Sequence, residues 1–373
     1  EAWAVALAGF NWLRHLGAAD SALARANARA LVDDFLIAKL DRRGVAVRPD
    51  VVARRLLALL RPAPLVLEGA HHAFYRRFMR ALARAVRQLS GHVAGDLRGE
   101  NRLLGLIALA MAGLCLDNLG RLQRTVTRQL GEELARQVLP DGGHVSRNPQ
   151  VVVTLLTELL PLRQVYAARG VSPPPQLLGA IDRMMPMLRM FRHGEGSLAL
   201  FNGMGSTQVD LIATLLAYDD TRSRAIRHAP HSGYERLSMG DVTVIADTGA
   251  PPPPDLSTTA HAGCLSFELS SGRQHFIVNA GVDTYGDPEF RPLARATAAH
   301  STATLNDTSS ARFSHSPRVS NLVGSPLVGG PRNVPCHRDD GQDRQGFTAS
   351  HDGYVHRFGI VHERALTLSN RGN

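Results

Sequence analysis

The sequence has three cysteines, a single lysine and no apolar run long enough to cross a bilayer. Cys115, Cys264 and Cys336 are odd in number and far apart, which argues against a disulfide framework or a zinc knuckle. An apolar helix around Cys115 and a strand start at Cys264 predict buried free thiols. Lys39 is the one lysine among 42 basic residues, so the net charge of +9 rests on arginine and reflects coding bias as much as selection for charge. No block of like charge is interleaved with aromatics, as a nucleic-acid groove requires, and no nucleic-acid partner is expected. The charge is compatible with an anionic small molecule or polysaccharide as ligand. The longest apolar run, Leu103 to Leu116, is short and broken by glycine, so no membrane span is predicted. No initiator methionine or secretory signal is visible in this stretch, and a targeting segment could lie outside it. The chain opens on EAWAVALAGFNWLRHLG and stops at LTLSNRGN after a strand-like run, which predicts a fragment at both ends.

What is present divides by period. At 373 residues there is room for about two domains. Segments 3–16, 20–40, 50–61, 70–91, 101–116, 120–138, 150–168, 175–191 and 206–218 repeat Leu, Ala and Val at intervals of three and four, with Gly and Pro between them. Helical pairs in series fit an α/α array or a plain bundle, and periodicity does not separate the two. From Tyr234 the pattern becomes β-like, with a stiff Pro251–Pro254 bridge and strands expected near 265–269, 275–280, 301–305, 345–350 and 353–368. The reading is an α+β chain, helical over 1–230 and a β-sandwich over 231–373.

The stretch HAGCLSFELSSGRQHFIVNAGVDTYGDPEFRPLARATAAH, His261 to His300, is the richest in chemistry. Ser270, Ser271 and Gly272 predict a hairpin turn between its two strands. Beyond Gly281 the periodicity stops and Asp283, Tyr285, Asp287, Arg291, Arg295 and His300 follow. Ionisable groups on loop backbone beside a rigid sheet suit a site, and a solvated surface loop fits the same spacing.

Five elements in order carry a resemblance to the heparinase II/III family of polysaccharide lyases. GENRLLGLIALAMAGL is similar to the family's Asn-led helix, and LPDGGHVSRNPQ to its DGG-x-x-x-R-S-P loop. His261 stands at a strand start as a family His does, AGVDTY is similar to a Gly-turn-Tyr segment, and Thr297-Ala-Ala-His300-Ser-Thr302 to a TxxHxT element. The resemblance implies an incomplete N-terminal α/α-toroid, then an antiparallel β-sandwich truncated at its C-terminus, in the periplasm or cell envelope. It implies β-elimination across C4 and C5 of a uronate in an anionic polysaccharide. A donor must neutralise the carboxylate, a base must take the C5 proton and an acid must protonate the leaving oxygen. By position, Asn101 is the implied neutraliser and His261 an acid or base. A helix N-cap at Asn101 and a strand-end structural histidine at 261 are the competing assignments.

The chain also departs from the family pattern. Gln150 and Val151 stand where a tyrosine is usual, and Gln carries no proton at neutral pH. Tyr285 and His144 are the alternative proton carriers. Arg147, Arg291 and Arg295 suit a carboxylate or sulfate, while Gln150, His300 and Asn202 complete the expected substrate contacts. A structural zinc known in some members would fall on Gly263, Asn279 and His300, two of which are poor ligands, so no metal or other cofactor is expected. Two further classes compete: a catalytically impaired polysaccharide-binding protein, and a glycoside hydrolase needing opposed carboxylates such as Asp141 and Glu195.

Overall fold

The computed structural model describes residues 2–19, 21–95, 97–219, 223–282, 289–316, 318–319 and 325–370. The chain divides into two compact units, Glu1–Leu134 with Glu158–Leu178, and Ala135–Thr157 with Gly179–Asn373. This division differs from the expected boundary at 230. Segments 135–157 and 179–230 join the second unit because their polar side chains find partners there, Arg147 at Asp247 and His193 at Glu268.

Helices α1 (Ala2–Ala8), α2 (Leu13–Ala18), α3 (Ala22–Ile37), α4 (Pro49–Leu60), α5 (Ala63–Leu67), α6 (His72–Ala94), α7 (Gly99–Cys115), α8 (Gly120–Gln137), α9 (Pro149–Ala168), α10 (Pro175–Met190) and α11 (Val209–Ala217) follow the predicted periodicity closely. Their starts have local causes. Ser21 Oγ accepts the Ala24 N–H at 3.1 Å, His71 Nδ1 accepts that of Phe74 at 3.1 Å, and Pro49 opens α4 with its fixed φ. Apolar all round, α7 is buried continuously from Leu103 to Ala112 and packs against α4 and α6. At Gly105 an added Cβ would lie 2.9 Å from Val93, so α6 and α7 approach too closely for a side chain.

Two differences from the expected helices have clear causes. Segment 3–16 is broken because Phe10 takes a left-handed φ of +59°, which buries its ring 5.2 Å from Trp12 and 4.8 Å from Phe35. The short α5 fits between Pro62 and Gly69, where punctuation alone predicts loop. Among the described residues, α9 has the length and composition of a membrane span. Half of that window is buried within the fold and Glu158 pairs with Arg61, as in a core helix.

In the second unit, strands β1 (His228–Ala229), β2 (Tyr234–Met239), β3 (Val242–Asp247), β4 (Phe267–Ser271) and β5 (Gln274–Ile277) form an antiparallel sheet in sequence order. Strands β8 (Cys336–Asp340), β9 (Arg344–His351) and β10 (His362–Ser369) form a second sheet in the order β10-β9-β8, and β6 (Arg312–Phe313) pairs with β7 (Leu327–Gly329). Leu237, Val244 and Ala246 of the first sheet meet Phe347 and Ala349 of the second, with Cys264 and Leu265 in the same core. That is a β-sandwich, closed by the alternation of inward apolar and outward polar residues. The hairpin turn falls at Gly272, whose φ is +53°. Residues 301–305 form no strand, and 353–368 is split into the short helix α13 (Val355–Phe358) and β10 by Gly359 at φ +69°. A further short helix, α12 (Phe290–Arg295), lies in the polar tail of the His261 to His300 segment.

Candidate active site

The second unit places His261 and His300 side by side, with His261 Nδ1 and His300 Nε2 2.9 Å apart and both rings buried. The tautomers follow from one carbonyl. Ala296 O only accepts, so His300 Nδ1–H donates to it at 2.8 Å and leaves a lone pair on His300 Nε2. His261 Nδ1–H donates to that lone pair, so the free lone pair of His261 stands on Nε2. This nitrogen is buried and has no hydrogen-bond partner among the described residues. Burial, then His300 and Arg295, hold the His261 pKa well below its ordinary value, and burial lowers that of His300. Both rings are therefore neutral at pH 7.

Neighbouring residues hold the His261 backbone. Its N–H donates to Asn202 Oδ1 at 3.2 Å, while Arg295 Nε donates to Ala260 O at 2.8 Å and Ala262 N–H to Arg295 O at 2.9 Å. Arg295 also donates to Ser325 O at 2.8 Å and Ser257 O at 3.0 Å and lies over the Phe313 ring. Behind Asn202 is a buried network: its Nδ2 donates to Tyr234 Oη at 2.8 Å and Asp247 Oδ2 at 3.0 Å, and Asp247 Oδ1 accepts from Arg147 Nη2. Asn202 sits at φ +48°, a conformation Asn tolerates, and all its amide atoms are engaged within the fold. It positions His261 and leaves nothing for a sugar, contrary to the expected substrate contact.

Arg147 likewise departs from expectation. Its guanidinium gives Nε to Ser232 O at 2.7 Å, Nη1 to Gly249 O and Ala250 O at 3.0 Å each, and Nη2 to Gly233 O at 2.9 Å and Asp247. Five N–H groups meet five acceptors, so none remains for a substrate carboxylate. Burial would lower its pKa, but Asp247 and the Tyr234 oxygen outweigh burial and raise it. Nor is His144 a free base. Its Nδ1 accepts from Ser146 N at 3.1 Å and lies 2.7 Å from Ser146 Oγ, so Nε2–H donates to Gln137 Oε1 at 2.7 Å. The DGG turn itself is steric: a Cβ on Gly142, at φ +86°, would lie 2.0 Å from Arg183 O.

Gln150 lies in the first turn of α9, its N–H donating to the capping Asn148 Oδ1 at 2.8 Å, and its side chain is half-buried. Arg291 is exposed on α12. In the helical unit, Asn101 is exposed in the first turn of α7, whose N-cap is Arg98, so it is not the N-cap itself. Arg102 beside it pairs with Glu133 at 3.1 Å. Tyr285 lies outside the described residues. Asp247 and Tyr234 were missed in the sequence, where a strand-end acid and a strand-start phenol look ordinary. Tyr234 is the phenol nearest in bonding to the site, but its Oη–H is already donated to Arg147 O at 2.5 Å, and burial raises its pKa, which makes it a weaker acid.

The residues at the implied zinc position do not suit a metal. A Cβ on Gly263 would stand 2.7 Å from His300 Cδ2, so the ring occupies the space of a side chain there. Asn279 is committed as well, accepting from Ser301 N at 3.1 Å and donating to Glu268 Oε1 at 3.2 Å. Among the described residues no group of three or more His, Cys, Asp or Glu gathers to hold a metal. Gly263→Ala is expected to cost about 1–3 kcal/mol by overpacking the His300 ring. Chemical denaturation checks this, and unchanged stability would mean that the ring yields freely.

Residues 221–373 match the family model described as Heparinase II/III-like, C-terminal. Over 371 residues the chain is 33% identical to FtsZ-localized protein C of Caulobacter vibrioides, covering 98% of this chain and 62% of that protein. Among solved structures, Heparinase III superposes with a TM-score of 0.71 at 13% identity, over 94% of this chain and 60% of that one. A mutant of heparan sulfate lyase HepC from Pedobacter heparinus gives 0.66 at 16% identity, over 98% of this chain and 60% of that one. The chain thus spans about three fifths of the length of these relatives. The solved structures share its fold, helices first and antiparallel sheets after.

Proposed function

We propose that this chain, whose residues 221–373 match the Heparinase II/III-like C-terminal family model, is a polysaccharide lyase acting on a uronate-containing anionic polymer by β-elimination. One observation carries the proposal: the bare Nε2 of His261, set by the chain Ala296 O, His300 and His261 Nδ1. A neutral imidazole whose other nitrogen is anchored is equipped to take the C5 proton of a uronate. Neutralising the carboxylate, which makes that proton acidic, is the role that the resemblance implies for Asn101, an exposed amide of the first unit. Tyr285 protonates the departing glycosidic oxygen, the role left open at Gln150. Arg291 and Arg295 contribute positive charge toward the polymer, whereas His144 and Arg147 support the loop that carries Asn148 and Gln150.

The test is direct. Elimination leaves an unsaturated uronate, so full-length protein given a panel of heparan sulfate, hyaluronan, alginate and related polymers is expected to raise ultraviolet absorbance on one of them. Binding without any absorbance gain supports the second reading, a polysaccharide-binding protein on the lyase fold. Two observations favour that reading: Gln150 in the tyrosine's place, and His261 Nε2 enclosed by protein. The name of the Caulobacter relative, FtsZ-localized protein C, also describes a place rather than a reaction.

A further inference from the structure

We propose that a cavity within the helical unit binds a small oxyanion carried on a short apolar body, independently of the lyase reading. The cavity, about 300 Å³, lies among α3, α4, α6 and the 3₁₀ turns at Leu40–Arg42 and Gly44–Val47. Leu36, Leu56, Leu59 and Ala85 make its apolar wall, and Arg42, Arg55, Arg84 and Asp41 its charged one.

Arg55 is the reason for expecting an anion. Its side chain is buried at 4% exposure, and its guanidinium donates only to the neutral carbonyls of Ala8 at 3.2 Å and Ala46 at 2.9 Å, with the Phe35 ring 5.7 Å away. Among the described residues it forms no ion pair with a carboxylate. Burial lowers its pKa to about 10, which still leaves it charged at neutral pH. A buried cation whose hydrogen bonds all go to neutral carbonyls is costly even with the Asp41 charge acting on it at longer range, and an anion entering beside it recovers part of that cost.

The one carboxylate of the cavity wall is already engaged. Asp41 Oδ2 accepts from Arg84 Nε at 3.2 Å and Nη2 at 2.6 Å, while Oδ1 has only Arg42 Nε, at 3.8 Å. Three guanidiniums therefore face one acid, with Arg84 hydrogen-bonded to it and Arg42 in a longer ion pair with it. Arg55 remains for an oxyanion head, a carboxylate or phosphomonoester, with the charge of the half-exposed Arg42 beside it, and the leucines for its body. A volume at the small end of ligand cavities limits that body to about six carbons.

Sodium hexanoate, hexanol and inorganic phosphate, each added to the full chain, separate the parts of this recognition. Hexanoate is expected to raise the melting temperature and to bind saturably by calorimetry, with hexanol and phosphate at least ~10-fold weaker. Ala85→Leu, which fills the apolar wall, is expected to fold and to weaken hexanoate at least ~10-fold, as is Arg55→Met. Should Arg55→Met fail to fold, Ala85→Leu alone carries the test. Hexanol or phosphate binding as tightly as hexanoate, unchanged binding by Ala85→Leu, or no saturation by hexanoate overturns the proposal. None of these outcomes touches the ultraviolet test of elimination.

Discussion

His261→Ala is expected to lower turnover on the responsive polymer by at least ~100-fold while leaving its affinity within a few fold, because it deletes the base and little else that meets substrate. Initial rates of ultraviolet absorbance and oligosaccharide titration check the two halves separately. If turnover survives within tenfold, the base is another group and the site as drawn is wrong. The pH profile gives a second readout. Because the His261 pKa in the fold lies well below its ordinary value, the neutral form persists as pH falls through 6.5, and no acid limb near 6.5 is expected from this residue. Stability behaves differently. A histidine held neutral binds its proton more readily when unfolded, so its contribution is complete above the unfolded pKa near 6.5 and declines as pH falls below it. His351, buried and lowered to about 4 chiefly by desolvation, acts in the same direction between pH 6.5 and about 4. Melting temperature is therefore expected to fall between pH 7 and 5 while the rate per folded molecule holds.

Arg147→Met is expected to destabilise the second unit by about 3–5 kcal/mol, the range for breaking a buried ion pair from one side. It strands the Asp247 charge in the core and removes a donor from the carbonyls of Ser232, Gly233, Gly249 and Ala250, of which Gly233 O keeps only Thr248 N–H and Gly249 O only the weak Cys264 thiol. Asp247 also accepts from Asn202, which holds the His261 N–H, so activity is expected to fall along with stability. Denaturant unfolding measures the loss. Near-native stability combined with weakened polysaccharide binding would instead return Arg147 to the substrate side, where its residue type alone had placed it.

Arg147 and His261 also mark where sequence reasoning stops. The helices were legible because a period of 3.6 is a local property: Leu103 to Ala112 reads as a buried helix before anything is known of α4 or α6. The β4–β5 hairpin was legible for the same reason, through Ser270, Ser271 and Gly272. The strand expected at 301–305 was not realised, since Ser301 is taken up by Phe267 and Asn279 and only Leu305 forms a bridge, to Thr308. Motif order placed His261 and His300 in one family of sites, but their contact spans 39 residues and depends on how the chain returns past Gly263.

The sequence by itself determined the two kinds of secondary structure, their order along the chain, and the residue types available for proton transfer. Tertiary structure alone decided which of those residues are still free to act. A guanidinium in a Gly-rich loop suits a substrate or a core equally well until its acceptors are placed, and those of Arg147 lie 85 to 103 residues away. The same long-range packing fixes the tautomer of His261 through His300 and a single carbonyl, which no local pattern encodes.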